Sequence, residues 1–151
     1  MEPRIISSKA VHLTGEALVR LEETADRTVA ALRQAGLPAA RREPGDAIQV
    51  GAVVDVDTMD DSDSGVFVGW RLHPELDGAV KSSMAAGDFT NATMAFAAAT
   101  ATAMLTAMTR ILTAAGLPAK LGTDMLSGFV HVPARSRCSL TAAHPKPALR
   151  S

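Results

Sequence analysis

The sequence predicts an α+β domain in the order α-β-β-β-α-α-β-β, with a mainly antiparallel sheet of two hairpins and a long apolar helix across one face. Three observations carry that prediction. The stretch from about Thr90 to Ala115 has the composition of a helix and contains a single ionisable residue, Arg110. The pentapeptide Ala-Gly-Leu-Pro-Ala occurs twice, at Ala35 to Ala39 and Ala115 to Ala119, each time closing an amphipathic or apolar run. Two segments rich in β-branched residues, Ile48 to Asp57 and Val66 to Leu72, flank the polar stretch Asp60 to Ser64 and read as a hairpin.

The first helix is expected from about Gly15 to Ala35, with Thr14 as its N-cap. Leu18, Leu21, Ala25, Val29 and Leu32 recur every three to four residues, and Glu16 with Arg20 and Glu23 with Arg27 supply i,i+4 pairs on the other side. Each pentapeptide is a stop signal, because glycine just past a helix end accepts the left-handed conformation and proline two residues on prevents restart. After each comes a short segment, a turn at Pro44-Gly45-Asp46 or Gly122-Thr123-Asp124, and a second segment. Both halves therefore read as a helix feeding a β-hairpin. In the segment Val66 to Leu72, alternation gathers Val66, Val68, Trp70 and Leu72 on one face. Pro74 suits the first position of a short helix that reaches about Ala86, with Leu76, Val80, Ser83 and Met84 turned inward and Gly87 ending it.

The long helix that follows spans roughly 39 Å at 1.5 Å per residue, about the diameter of a compact domain of this length. At 100° per residue, Met94, Phe96, Met104, Leu105, Met108, Ile111 and Leu112 take half of its circumference and are assigned to the sheet. The opposite half carries Ala95, Ala99, Thr102, Thr106, Thr109 and Thr113 at 4-3-4-3-4 spacing. A water-facing side of this length normally carries several Lys or Glu, so this seam of small side chains is read as a packing surface for a second helix.

Composition bounds the rest. With 151 residues, 47% hydrophobic and 21% charged, the chain is sized for one domain, assigned to residues 1–132 with a basic tail over 133–151. A net charge of −1 gives no basic excess for nucleic acid, and the tail's Arg135, Arg137, Lys146 and Arg150 lack interleaved aromatics, so a nucleic-acid partner is not expected. No apolar leader opens the chain and its one cysteine, Cys138, has no mate, which points to a cytoplasmic protein. Abundant alanine, with 11 Arg against 4 Lys, resembles the output of a high-GC bacterial genome. The long helix is diluted by threonines and would place Arg110 inside a bilayer at about 2.5–3.5 kcal/mol, so no membrane span is expected.

Chemistry is sparse. Asp55, Asp57, Asp60, Asp61 and Asp63 crowd one hairpin, but their spacing breaks the calcium-loop pattern, and neither a metal nor a cofactor is expected. No nucleophile elbow, phosphate loop or zinc-spaced histidine pair occurs, so there is no catalytic set. The one constellation suited to a ligand lies opposite Trp70, where alternation collects Asp55, Phe67, Arg71, His73, and further on Phe129 and His131, with Gly51 and Gly69 leaving room. Asp55, Arg71, His73 and His131 are the candidate ligand residues, since a fork of guanidinium with imidazoles orients small anions or moves protons. The plainer account has Asp55 paired with Arg71 across strands and His73 beside Pro74 at the start of the helix.

The layout is similar to that of small dimeric chaperone-like folds that bind other proteins in bacteria. Because the sequence offers apolar contact surface and no comparable chemistry, the leading expectation is a non-enzymatic homodimer acting through protein contacts, with the seam Ala95, Ala99, Thr102, Thr106, Thr109 and Thr113 or the Met-rich face of the same helix as its interface. The alternative is a small-molecule-binding protein or small enzyme using the polar sheet face.

Overall fold

In a computed structural model, which describes residues 12–45, 50–59 and 64–133, the chain runs α1 (Glu16–Gln34), β1 (Ala39–Arg41), β2 (Gly51–Asp57), β3 (Gly65–Arg71), α2 (Pro74–Ala85), α3 (Ala92–Ala114), β4 (Lys120–Leu121), a 3-10 turn (Asp124–Leu126) and β5 (Val130–Pro133). This is the expected α+β order. The basic tail beyond Pro133, Cys138, and Asp60, Asp61 and Asp63 of the acidic hairpin lie outside the described residues.

The five strands form one sheet ordered β1-β2-β3-β5-β4. β2 and β3 make one antiparallel hairpin and β4 and β5 the other, with β3 and β5 joining them. β1 departs from the expected hairpin, because it runs parallel to β2 with Ala39 opposite Ala52. The cause is a close approach at Gly51. Its N-terminal end of β2 sits against Pro38, where a Cβ would fall 2.5 Å from the Pro38 carbonyl oxygen, and Ala52 N–H donates to that oxygen at 2.8 Å. β2 therefore starts beside the beginning of β1 and does not fold back against its end.

Alternation sends Ala52, Val54 and Val56 of β2, Val66, Val68 and Trp70 of β3, and Val130 and Val132 of β5 to one face. That face is covered by Leu21, Ala25, Val29 and Leu32 of α1 and by Met108 and Leu112 of α3, and these side chains form the core. Arg41 bridges sheet and helix, donating to Glu22 at 2.6 Å and Asp26 at 2.9 Å. Burial opposes its charge, but the two carboxylates outweigh burial and raise its pKa further above the ordinary arginine value.

Both pentapeptides cap helices in the same way. Leu37 N–H donates to Leu32 C=O and Gly36 N–H to Arg33 C=O; after α3, Leu117 donates to Leu112 and Gly116 to Thr113. These are paired Schellman motifs, with φ of 88° at Gly36 and 83° at Gly116. Thr14 is not the N-cap of α1. Gly15 takes that place at φ 59° with no side-chain cap, and its carbonyl accepts from Val19 N–H.

α2 and α3 form a helical hairpin that stands partly clear of the sheet. α2 buries no residue fully and packs chiefly on α3. α3 buries Ala97, Met108 and Leu112, so its C-terminal half is seated on the body while its first half rests on α2. Two inward assignments are overturned: Met84 is 52% exposed and Phe96 62% exposed. Phe96 lies about 100° from buried Ala97 on the helical projection, at the rim of the arc that hydrophobicity alone would draw. Once Ala97 takes the centre of the contact, the Phe96 ring points outward.

Candidate functional site

The open sheet face, opposite the helices, aligns one row of side chains across four strands. Asp55 of β2 is opposite Phe67 of β3, which is opposite His131 of β5, which is opposite Lys120 of β4. The sheet thus brings together Asp55, Phe67 and His131 as alternation anticipated. His131 is buried, stacks on Phe67 with centroids 4.7 Å apart, and donates through Nε2 to the Ser64 carbonyl at 3.2 Å. A histidine held this way is a structural plug.

The two other candidates lie elsewhere. Arg71 is opposite Gly51, four residues along β3 from Phe67 and so roughly 13 Å from that row. His73 caps α2, its Nδ1 accepting from Glu75 N–H at 3.3 Å. The expected Asp55–Arg71 pair does not form. Arg42, just past β1, donates through Nε to Asp55 Oδ2 at 2.7 Å, and Val56 N–H donates to Oδ1. Sequence reasoning missed Arg42 because its place depends on the parallel pairing of β1, which no local pattern encodes.

The room left by Gly69 is filled by Phe129, whose ring edge would lie 3.2 Å from an added Cβ. Phe129 also meets Phe67 edge-to-face at 6.4 Å. Between this aromatic pair and the Arg42–Asp55 ion pair lies an open cleft of about 290 Å³, completed by Val56, Asp57 and Leu126. It sits at the lower edge of the roughly 300–1,000 Å³ typical of small-molecule sites. Among the described residues, no group of three or more His, Cys, Asp or Glu is arranged to hold a metal, and no buried side-chain polar atom lacks a partner.

The other candidate surface is the outward side of α3. Ala92, Ala95, Phe96, Ala98, Ala99, Thr102, Ala103, Thr106, Arg110, Thr113 and Ala114 are exposed, and Thr109 is half-buried. Arg110 is the only charge among them. Thr106, Thr109 and Thr113 donate their hydroxyls to the carbonyls of Thr102, Leu105 and Thr109, so these protons are spent within the helix. Phe89, in the turn between α2 and α3, is 59% exposed, and Met84 near the end of α2 is 52% exposed. α3 is also long and apolar enough to cross a membrane, with most of it unburied.

Comparison of the chain with protein-family models, curated proteins and solved structures gives no match.

Proposed function

We propose that this chain is a non-enzymatic, homodimeric protein-interaction domain of adaptor or chaperone-like type, working through the outward side of α3. The observation that carries the reading is the exposure of eleven α3 residues of which ten are Ala, Thr or Phe. Exposed helix faces of soluble domains are ordinarily charged, and α1 of this same chain is. An apolar surface along a whole helix is what a contact surface requires. Solution mass by light scattering, on the wild type and on Thr102→Glu/Thr106→Glu, tests it. A wild-type dimer and a monomeric variant with unchanged circular dichroism support the reading; a wild-type monomer at micromolar concentration sinks it.

A second reading rests on the cleft between Phe67, Phe129 and the Arg42–Asp55 pair. Here the chain binds a small molecule with a flat apolar body and a polar group, the aromatic pair taking the body and the ion pair orienting the polar end. Screening small molecules by ligand-observed NMR tests this: saturable binding that is lost in Phe129→Ala supports it, and a screen without saturable hits removes it.

A further inference from the structure

Phe96, Ala103 and Arg110 are spaced seven residues apart on α3 and all three are exposed. Seven residues make nearly two turns, so the three form one stripe that drifts by only about 20° per step. Ala103 is the central residue of Ala92–Ala114. Arg110 has no hydrogen-bond or ion-pair partner among the described residues, and α3 has no acidic residue to give it one.

From this arrangement we infer that the occupant of the α3 face is a second copy of this chain, docked with the two α3 helices antiparallel about a two-fold axis at Ala103. The inference rests on the homodimer reading and adds its geometry. A two-fold axis at the midpoint overlaps the helices over their full length. It places Phe96 of each copy beside Arg110 of the other, twice by symmetry, and sets Ala99 near Thr106 and Thr102 near Thr102 of the second copy. An isologous contact needs such self-complementarity. Arg110 then gains an aromatic face for its guanidinium in place of the carboxylate it lacks. The small Ala103 at the axis lets the backbones approach closely. A parallel arrangement would put the two Arg110 side chains together, with their charges opposed.

The outward arc covers roughly 160° of the helix. On a cylinder about 11 Å across and about 34 Å long this amounts to about 500 Å² per copy. The total of about 1,000 Å² is a ceiling on what the two helix faces bury, and it lies at the floor for a specific interface. The contact is therefore a weak dimer held by few residues, with the paired Phe96 and Arg110 supplying its specific contacts.

Disulfide trapping in the full chain tests the geometry, on a Cys138→Ser background that removes the native thiol. Ala103→Cys is expected to link to itself under mild oxidation. Phe96→Cys and Arg110→Cys are expected not to self-link, yet to give a mixed dimer when combined. Self-links at 96 and 110 without the mixed product would overturn the antiparallel geometry while leaving a homodimer standing. No links anywhere, with a monomeric mass by light scattering, would overturn the homodimer reading itself. A non-covalent check uses exchange of the pair. Phe96→Arg alone is expected to weaken association on the order of tenfold, and Phe96→Arg/Arg110→Phe to restore it. Failure of the exchange to restore it in a variant with native circular dichroism would overturn the Phe96–Arg110 contact.

Discussion

α1 and α3 end in the same pentapeptide, with the same two capping hydrogen bonds and a buried leucine in the same place, yet they present opposite outer surfaces. α1 buries Leu21, Ala25, Thr28, Val29 and Leu32 and turns Glu16, Arg20, Glu22, Glu23, Asp26, Arg27 and Arg33 outward. α3 is longer, buries fewer residues, and turns out Ala and Thr with one phenylalanine and one arginine. The caps and the buried leucines show that both helices meet the same folding requirements. What differs is the side that folding does not use. On α1 that side carries the charges that suit water, and on α3 it carries almost none, as the proposed contact requires.

The shared part of the comparison breaks first in the core. Leu32 and Leu112 are fully buried, and each backbone carbonyl accepts the Schellman bond of its helix. Leu32→Ala and Leu112→Ala leave those carbonyls in place and remove only side-chain packing, so each is expected to cost about 2–5 kcal/mol in denaturant unfolding. Comparable losses show that the body rests equally on both helices. A loss below 1 kcal/mol at Leu112 would mean that α3 is not seated on the sheet.

The outer surfaces separate next. Thr102→Glu/Thr106→Glu on α3 is expected to raise the dimer dissociation constant by more than a hundredfold, because a charge buried without a partner costs about 3 kcal/mol or more. Ala30→Glu on the exposed side of α1 is expected to leave mass and stability within about 0.5 kcal/mol of wild type. Analytical ultracentrifugation over a concentration series reads both. Equal indifference at the two positions would place the α3 side in water and remove the distinction between the helices.

The caps give a smaller and symmetric effect. Gly36 and Gly116 adopt left-handed φ in open space, where no atom lies within 4 Å of an added Cβ. Gly36→Ala and Gly116→Ala are therefore pure backbone-strain tests, expected to cost about 1–2 kcal/mol each. Unequal costs would show that the two pentapeptides, though identical in sequence, are not equivalent in structure.

The caps and the core were legible in the sequence because both are local or periodic. Gly-Leu-Pro after an apolar run specifies its own hydrogen bonds, and the alternation of Val66, Val68 and Trp70 specifies one face of β3. The direction of β1 was not legible, since it depends on Gly51 meeting Pro38 across the intervening loop. With that direction went the partner of Asp55, which is Arg42 and not Arg71. His73 reads correctly as the start of α2 because a histidine before Pro74 can cap only the helix that follows. Phe96 and Met84 were misplaced because hydrophobicity was taken to mean burial. On a helix that touches the body along only part of its length, small Ala97 takes the inward place and the larger side chains face out.

The smallest effect bears on why charge marks a water-facing side at all. Glu16 and Arg20 on α1 form an exposed i,i+4 ion pair, and Asp77 and Lys81 form another on α2. Glu16→Gln is expected to cost no more than about 0.5 kcal/mol and to cost less still in high salt. A pair so weak adds little to folding, so the charges on α1 serve to keep its outer side in water. By the same logic, α3 forgoes almost nothing in stability by lacking them, so its bare surface is compatible with the proposed contact at no cost to folding. The converse substitution, Ala99→Glu/Ala103→Lys, writes an α1-type pair onto α3. A gain of a few tenths of a kcal/mol with unchanged mass would show that α3 faces water as α1 does, whereas a folded monomer in place of a dimer is the expected result.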